Sequence, residues 1–490
     1  MIFANIAQLN TMDNIYMFML IAITVLATID IVVGVSNDAI NFLNSAIGSK
    51  AISMRMMMTV ASLGIFVGAV YSSGLMEVAR KGIFIPAMFS FNEIMYIFMA
   101  VMITDILLLD FFNTLGLPTS TTVSIVFNLL GAAVIMSLIK IGASDGQSFG
   151  DLVNYINTEK AIQIIIGIVM SVFIAFAVGA IVQWISRLVF TFQTEKKIKN
   201  FGAIFGAIAL TAITYFIFLK GLKGTPYYKD LKGSVEGNEL YIMAASFALW
   251  LIVSYVFQAI TKKTILLVVI AVGTFGLALA FSGNDLVNFI GVPMAAYHSY
   301  EAWAASGVEA TLFSMEVLDK KVPAEPLLLF ISGGIMVVTL LFSKKARSVV
   351  ETGISLSRQS ETHEKFEPNF LSRGIVKGAT QLSKYFNAII PISVQENIAN
   401  RFKTPEITLT KDQSIDAPAF DLIRASVNLM VAGILIAIAT TMKLPLSTTY
   451  VTFMVAMGTS FADKAWGRES AVYRVAGVLN VIGGWFGTAL

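Results

Sequence analysis

The chain has 490 residues, of which 56% are hydrophobic and 13% charged, roughly half the ~25% charge of a soluble domain. A mean hydropathy of +0.77 marks a polypeptide solvated by lipid. Disorder and a collagen-like fibre are excluded, and with no cysteine and two histidines so are a disulfide scaffold, thiol chemistry and a Cys/His metal site. The 34 basic and 31 acidic residues nearly cancel, at a net charge of +3, so nothing points to nucleic acid.

A bilayer core of about 30 Å is crossed by about 20 apolar residues. Twelve runs of that order occur, at 14–34, 51–74, 92–110, 118–140, 161–190, 201–219, 240–260, 264–282, 326–342, 422–442, 445–462 and 470–490. The first follows a start without Lys or Arg and reads as a span, not a cleaved signal. The last ends in Gly-Trp-Phe-Gly-Thr-Ala-Leu with no charged flank after Arg474, as a piece of a longer chain would. Residues 343–421 carry about a third of the charges and no span-length run, and are expected to form a soluble, partly amphipathic cytoplasmic loop. By the positive-inside rule Lys344, Lys345, Arg347 and the basic cluster at 187–199 lie in the cytoplasm, which puts the amino terminus outside.

Two peptides occur twice. Asn37-Asp38-Ala39-Ile40-Asn41-Phe42 returns 247 positions later as Asn284-Asp285-Leu286-Val287-Asn288-Phe289, and Leu117-Pro118-Thr119-Ser120-Thr121-Thr122 returns 327 positions later as Leu444-Pro445-Leu446-Ser447-Thr448-Thr449. The two offsets differ by about the length of the polar stretch, so the second half repeats the first with one insertion. The first Asn-Asp peptide follows the first run and the second follows the eighth, an odd shift that reverses the crossing direction. The expected fold is therefore an all-α polytopic membrane protein of about twelve transmembrane helices in two inverted-topology repeats with broken or re-entrant helices, as in many secondary transporters. Its parts would be a first repeat at 1–192, linking spans at 193–263, the start of the second repeat at 264–342, the polar loop at 343–421 and the remainder at 422–490.

Proline suits the first turn of a helix, so Pro118 and Pro445 each mark a helix start within or near the membrane. Ser120, Thr121, Ser447 and Thr448 then sit at free backbone N–H groups, where hydroxyls, amides and the positive helix end make an oxyanion cradle. Ordinary N-capping is the alternative for either peptide alone; the duplication favours the cradle. Asp38 and Asp285 end apolar runs, where an unpaired carboxylate costs at least ~2.5–3.5 kcal/mol. A hard cation is their natural partner, held also by the amide oxygens of Asn37, Asn41, Asn284 and Asn288 and by carbonyls freed where Gly34, Gly48, Gly283, Gly291 and Pro293 break the helices. A carboxylate a few ångströms from an anion repels it by about 4 kcal/mol at an effective dielectric of ~20. Cations must therefore accompany the anion, which is symport. A carboxylate can also accept a hydrogen bond from protonated phosphate but not from sulfate.

At these four peptides the sequence resembles the inorganic phosphate transporter (PiT, sodium/phosphate symporter) family. Gly34-Val35-Ser36-Asn37-Asp38-Ala39-Ile40-Asn41 is similar to its first Gly-Ala-Asn-Asp signature and residues 282–291 to the second, while Leu117–Thr122 and 444–449 resemble its Pro-x-Ser-Thr-Thr motifs. The resemblance implies a twelve-span inverted-repeat carrier, often dimeric, in the cell membrane, moving phosphate with sodium or, in some members, protons. By position, Ser120, Thr121, Thr122, Ser447, Thr448 and Thr449 would contact phosphate, and Asp38 and Asp285, with Asn37, Asn41, Asn284 and Asn288, would organise sodium and the remaining phosphate oxygens. Glu77 resembles a further acidic position of the family. Val123 and Tyr450 stand where the family often has His, Asn44 stands where Gly is usual, and Val292 is an insertion before Pro293.

Asp105, Asp110 and Arg424 lie within apolar runs and are read as structural ion pairs in preference to a proton path. Met54 to Met58 read as lipid-facing or packing filler in preference to a metal site, His298 and His363 as solvated loop residues, Arg80 and Lys81 as headgroup contacts, and Gly64 and Gly68 as a close helix contact. The reading is a carrier that imports inorganic phosphate by sodium symport through alternating access, with no enzymatic activity and no cofactor besides the coupling ion. Alternatives are a sulfate or related oxyanion permease, a proton-coupled phosphate symporter and, from another class, an ion channel.

Overall fold

A computed structural model describes residues 11–70, 82–192, 195–220, 233, 235, 237–319, 325–359, 366–403, 417–442, 446–466 and 470–489. Glu77, Arg80, Lys81, His363, Leu444 and Pro445 lie outside them. The described chain is helical throughout, with only two isolated β-bridges. In chain order the α-helices are α1 Thr11–Asp38, α2 Ile40–Ser49, α3 Met54–Val70, α4 Phe91–Leu115, α5 Thr121–Ala143, α6 Thr158–Phe190, α7 Glu195–Ile213, α8 Glu239–Thr261, α9 Leu266–Ser306, α10 Pro326–Phe342, α11 Lys344–Ser357, α12 Phe370–Ile389, α13 Ile392–Arg401, α14 Leu422–Thr441, α15 Thr448–Ala462 and α16 Ser470–Ala489.

Each of the twelve apolar runs is helical over most of its length. Among the described residues eight helices are long and apolar enough to cross a bilayer, or nine if α10 and α11, bent by 68° where Ser343 caps the second, count as one span. The chain is thus a polytopic helical membrane protein. Its lipid face is read from large exposed apolar side chains, such as Leu107, Phe173, Ile252 and Phe330. Helix α8 buries little more than Ser254 and leans on α7.

The core forms where α9 crosses α1, α2, α3 and α14, and where α15 lies along α6. Two helical hairpins enter it. Helix α4 ends at Gly116, whose positive φ of 64° closes the helix, and α5 begins five residues later after the N-cap Ser120. Helix α14 is followed by α15, capped by Ser447. Both caps are buried, so the starts of α5 and α15 lie inside the protein. At 15 residues, α15 is about 22 Å long, short of a full crossing.

Several expectations are corrected. Gly283, Gly291 and Pro293 do not break the chain: α9 is one helix of 41 residues that continues well past 282. Gly34 likewise lies inside α1, and only Ala39 separates α1 from α2. Gly34 instead allows close approach, for a Cβ there would lie 2.1 Å from the ring of Phe289. The breaks fall at the hairpin tips. His298 is on α9 beside Glu301, not in a loop.

The polar stretch is not all solvated either. Helix α11 buries Val349, Val350 and Ile354 against the membrane block, and its Thr352 hydroxyl donates to the Gly116 carbonyl at the first hairpin turn. Helix α12 is amphipathic and exposes Phe370, Leu371, Ile375 and Ile389. Asp110 pairs with Lys345 at 2.5 Å on an exposed surface. Arg424 belongs to a buried cluster. Arg187 bonds Asp463 at 2.6 Å and Asp421 at 2.7 Å, and the Arg424 Nε donates to Asp463 at 3.0 Å. This joins α6, α14 and the end of α15, and the Arg424 bond to the Ser357 carbonyl adds α11. Asp105 has no basic partner among the described residues.

Candidate functional site

The two Asn-Asp helices and the two hairpin tips meet. Ser120 and Ser447 each accept a bond from the backbone N–H three residues on, Val123 and Tyr450, and so fix the first turns of α5 and α15. Capping sets the direction of the four threonines that follow. Thr121 donates to one oxygen of Asp38 at 2.9 Å and Thr449 to the other at 2.7 Å. Thr122 donates to one oxygen of Asp285 at 2.8 Å and Thr448 to the other at 2.7 Å. Each carboxylate is therefore held by one hydroxyl from each hairpin tip, and exchanging the two halves of the chain maps this pattern onto itself.

The asparagines divide into two pairs. Asn288 donates to Asp285 at 3.1 Å and to the Thr122 hydroxyl at 2.9 Å. Asn41 lies within bonding distance of the Thr448 and Thr449 hydroxyls, at 3.3 and 3.0 Å, and accepts from Thr452. These two belong to the carboxylate cluster. Asn37 does not. Its amide donates to Asn113 and to the Leu117 carbonyl, and its oxygen accepts the Thr119 N–H at 2.8 Å, so it fixes the turn before α5. Asn284 also stands aside, with its oxygen accepting from Thr440 at 3.3 Å.

Asp38 and Asp285 are fully buried, and no described Lys or Arg pairs with either. Two carboxylates in one dry site, facing two positive helix ends, form a nest of oxygen ligands. The carboxylates with the Thr and Asn oxygens suit a hard monovalent cation, and the helix N-termini with their hydroxyls suit an oxyanion. Beside this nest a small cavity of about 10 Å³, room for about one water, is lined by Asn41, Asn44, Ser45, Asn428 and Thr452. The Asn44 carbonyl oxygen and Asn428 amide nitrogen are buried there without a hydrogen-bond partner.

Two supporting residues escaped the motif reading. Asn113 donates to the Val33 carbonyl and accepts from Asn37, tying the end of α4 to α1. Asp30 is fully buried on α1 near Asp105; its one signal was a lone acid within an apolar run.

The model of the phosphate transporter family matches residues 34–360, which include the first Asn-Asp motif, the first hairpin tip and the second Asn-Asp motif. The chain belongs to the phosphate transporter family. Two curated proteins, each described as "Putative phosphate permease", are similar to it. The one from Pyrococcus horikoshii is 24% identical over 280 residues, 56% of this chain and 65% of that protein. The one from Pyrococcus furiosus is 23% identical over 293 residues, 56% of this chain and 64% of that protein. The chain thus spans just under two thirds of the length of these relatives. Among solved structures, "The sodium-dependent phosphate transporter" shares the fold, with a TM-score of 0.59 and 19% identity over 96% of this chain and 97% of that one.

Proposed function

We propose that this family member is a secondary transporter of the cell membrane that imports inorganic phosphate with a cation, sodium, by alternating access between its two halves. The observation that carries the reading is the crossed grip on Asp38 and Asp285. Each threonine hydroxyl has one proton to donate, and all four donate to the carboxylates. Phosphate can take those donors only if the carboxylates receive other positive partners. Sodium ions at Asp38 and Asp285 would supply them, leaving Thr121, Thr122, Thr448 and Thr449 to turn to phosphate oxygens at the two positive helix ends. Anion without cation would meet two repelling carboxylates, and cation without anion would leave the cradle unfilled. Coupling then follows from hydrogen-bond valence and charge. Asn41 and Asn288 orient the threonines, while Ser120 and Ser447 hold the helix starts. No step makes or breaks a covalent bond.

The similarity of the chain to phosphate permeases and to a sodium-dependent phosphate transporter supports the same choice of substrate and coupling ion. The test is uptake of radiolabelled phosphate into proteoliposomes under separately imposed sodium and proton gradients. Saturable, sodium-driven uptake with counterflow is expected. Uptake driven equally by a proton gradient, equal competition by sulfate, or non-saturating flux would overturn, respectively, the ion, the anion or the carrier mechanism.

A further inference from the structure

We infer that Asp30 and Asp105 form an additional site for one monovalent cation, a sodium ion or a proton, beside the Asp38 carboxylate. Asp30 on α1 is fully buried, and neither of its oxygens meets a donor other than the carboxyl of Asp105. Asp105 on α4, also buried, lies against it. Asp105 accepts from the Ser124 hydroxyl and, at 3.0 Å, from the Asn128 amide, both on α5. No described Lys or Arg pairs with either acid, and the other charged group near Asp30 is Asp38, two helical turns further along α1. Two touching carboxyls in a membrane interior cannot both stay ionised without a positive partner between them. Two carboxylates and one hydroxyl are too few for a divalent ion, which takes six to eight oxygens or a shell of water, but suit a sodium ion or a proton shared by the acids.

Duplication does not account for the cluster. At the offsets of the repeated peptides, its mirror positions in the second half are Leu277, Ala432, Val451 and Val455, all apolar and buried. The acids and their donors stand on one side only. Ser124 lies one turn along α5 from Thr121, which grips Asp38, and Asn128 also lines a groove between α4 and α5 at the protein surface. An ion bound here acts on the phosphate cradle through both α1 and α5.

The link to transport rests on the proposed symport, whereas the site itself does not, so two measurements separate them. Purified protein in nanodiscs is assayed for equilibrium binding of 22Na+ and for the carboxylic-acid C=O band in the infrared difference spectrum between wild type and Asp30→Asn. If sodium occupies the site, Asp30→Asn binds one ion fewer per chain. If a proton occupies it, sodium binding is unchanged and the wild type shows a carboxylic-acid band that Asp30→Asn lacks. Either result supports the site even if no phosphate is carried. Unchanged sodium binding together with no difference band would overturn it. Asp30→Leu, which installs the mirror residue, and Asp105→Asn repeat the test should Asp30→Asn fail to fold. In proteoliposomes the ratio of cation to phosphate should fall by one in Asp30→Asn while phosphate uptake persists.

Discussion

Thr121 and Thr449, from hairpin tips in opposite halves of the chain, donate to the two oxygens of a single carboxylate, Asp38, at 2.9 and 2.7 Å. Neither tip can move away from the Asp38 helix without releasing a bond to a buried charge. The same holds at Asp285 with the roles of the tips exchanged, so the carboxylates hold the two halves together at the centre of the fold.

Replacing either acid should separate folding from coupling. Asp38→Asn and Asp285→Asn keep side-chain volume and leave an oxygen to accept, but remove the charge that holds a cation. A charged hydrogen-bond partner is worth about 1.5–3 kcal/mol, so sodium affinity is expected to drop roughly 10–100-fold. Sodium-driven phosphate uptake should be lost at sodium concentrations that saturate the wild type. Normal uptake in either variant would show that the cation sits elsewhere.

The threonines should behave as two crossed pairs. Thr→Val at 121, 122, 448 or 449 removes the donor while keeping the shape, whereas Thr→Ser keeps the donor. Each valine variant is expected to raise the phosphate KM by about 10-fold, for a loss of about 1–1.5 kcal/mol per bond, with the serine variants close to wild type. Thr121→Val combined with Thr449→Val should be non-additive because both act on Asp38, whereas Thr121→Val with Thr448→Val should add more nearly. Equal coupling in both combinations would contradict the crossed arrangement.

The hairpin starts were legible in the sequence because proline followed by Ser-Thr-Thr has a local meaning: a fixed φ, then a cap, then donors. The pairing of Asp38 with Thr449 was not, since it depends on tertiary approach between segments 411 residues apart. Glycines misled for a related reason. A glycine in an apolar run can end a helix or admit a neighbour, and at Gly34 only the position of Phe289 decides between them. Asn37 was grouped with the expected cation ligands because of its neighbour Asp38. Consecutive helical side chains point about 100° apart, and Asn37 faces Asn113 and the turn before α5 instead.

The charge cluster at the end of α15 should govern stability and its acid limit. Asp463 neutralises two buried guanidiniums, those of Arg187 and Arg424. Asp463→Ala leaves them poorly compensated and is expected to cost about 3–5 kcal/mol, read as a fall in melting temperature in detergent; Asp463→Glu should recover part of it. At Asp421, burial would raise the carboxyl, but Arg187, with the Arg424 backbone N–H and guanidinium, outweighs it and holds the group below the ordinary carboxylate range. A depressed folded-state value contributes stability that is complete above the unfolded value of about 3.9 and is lost as pH falls through the folded one. The wild type should therefore lose melting temperature more steeply than Asp421→Asn as pH falls below about 4. Parallel pH profiles would show that Asp421 contributes nothing to the acid limit.

The crossing of α1 and α9 should tolerate no added carbon at Gly34. A Cβ there would lie 2.1 Å from one ring atom of Phe289 and 2.5 Å from another, and Phe289 is fully buried. Overpacking of this kind costs about 1–3 kcal/mol, and it falls one helical turn before Asp38. Gly34→Ala is therefore expected to lower both the melting temperature and sodium-driven uptake. Phe289→Leu removes the clashing ring atoms, so the double variant Gly34→Ala, Phe289→Leu should be more stable than the sum of the single changes implies, and its uptake should partly return. If Gly34→Ala alone is as stable and active as the wild type, the helices do not cross as closely at this point as the contact requires.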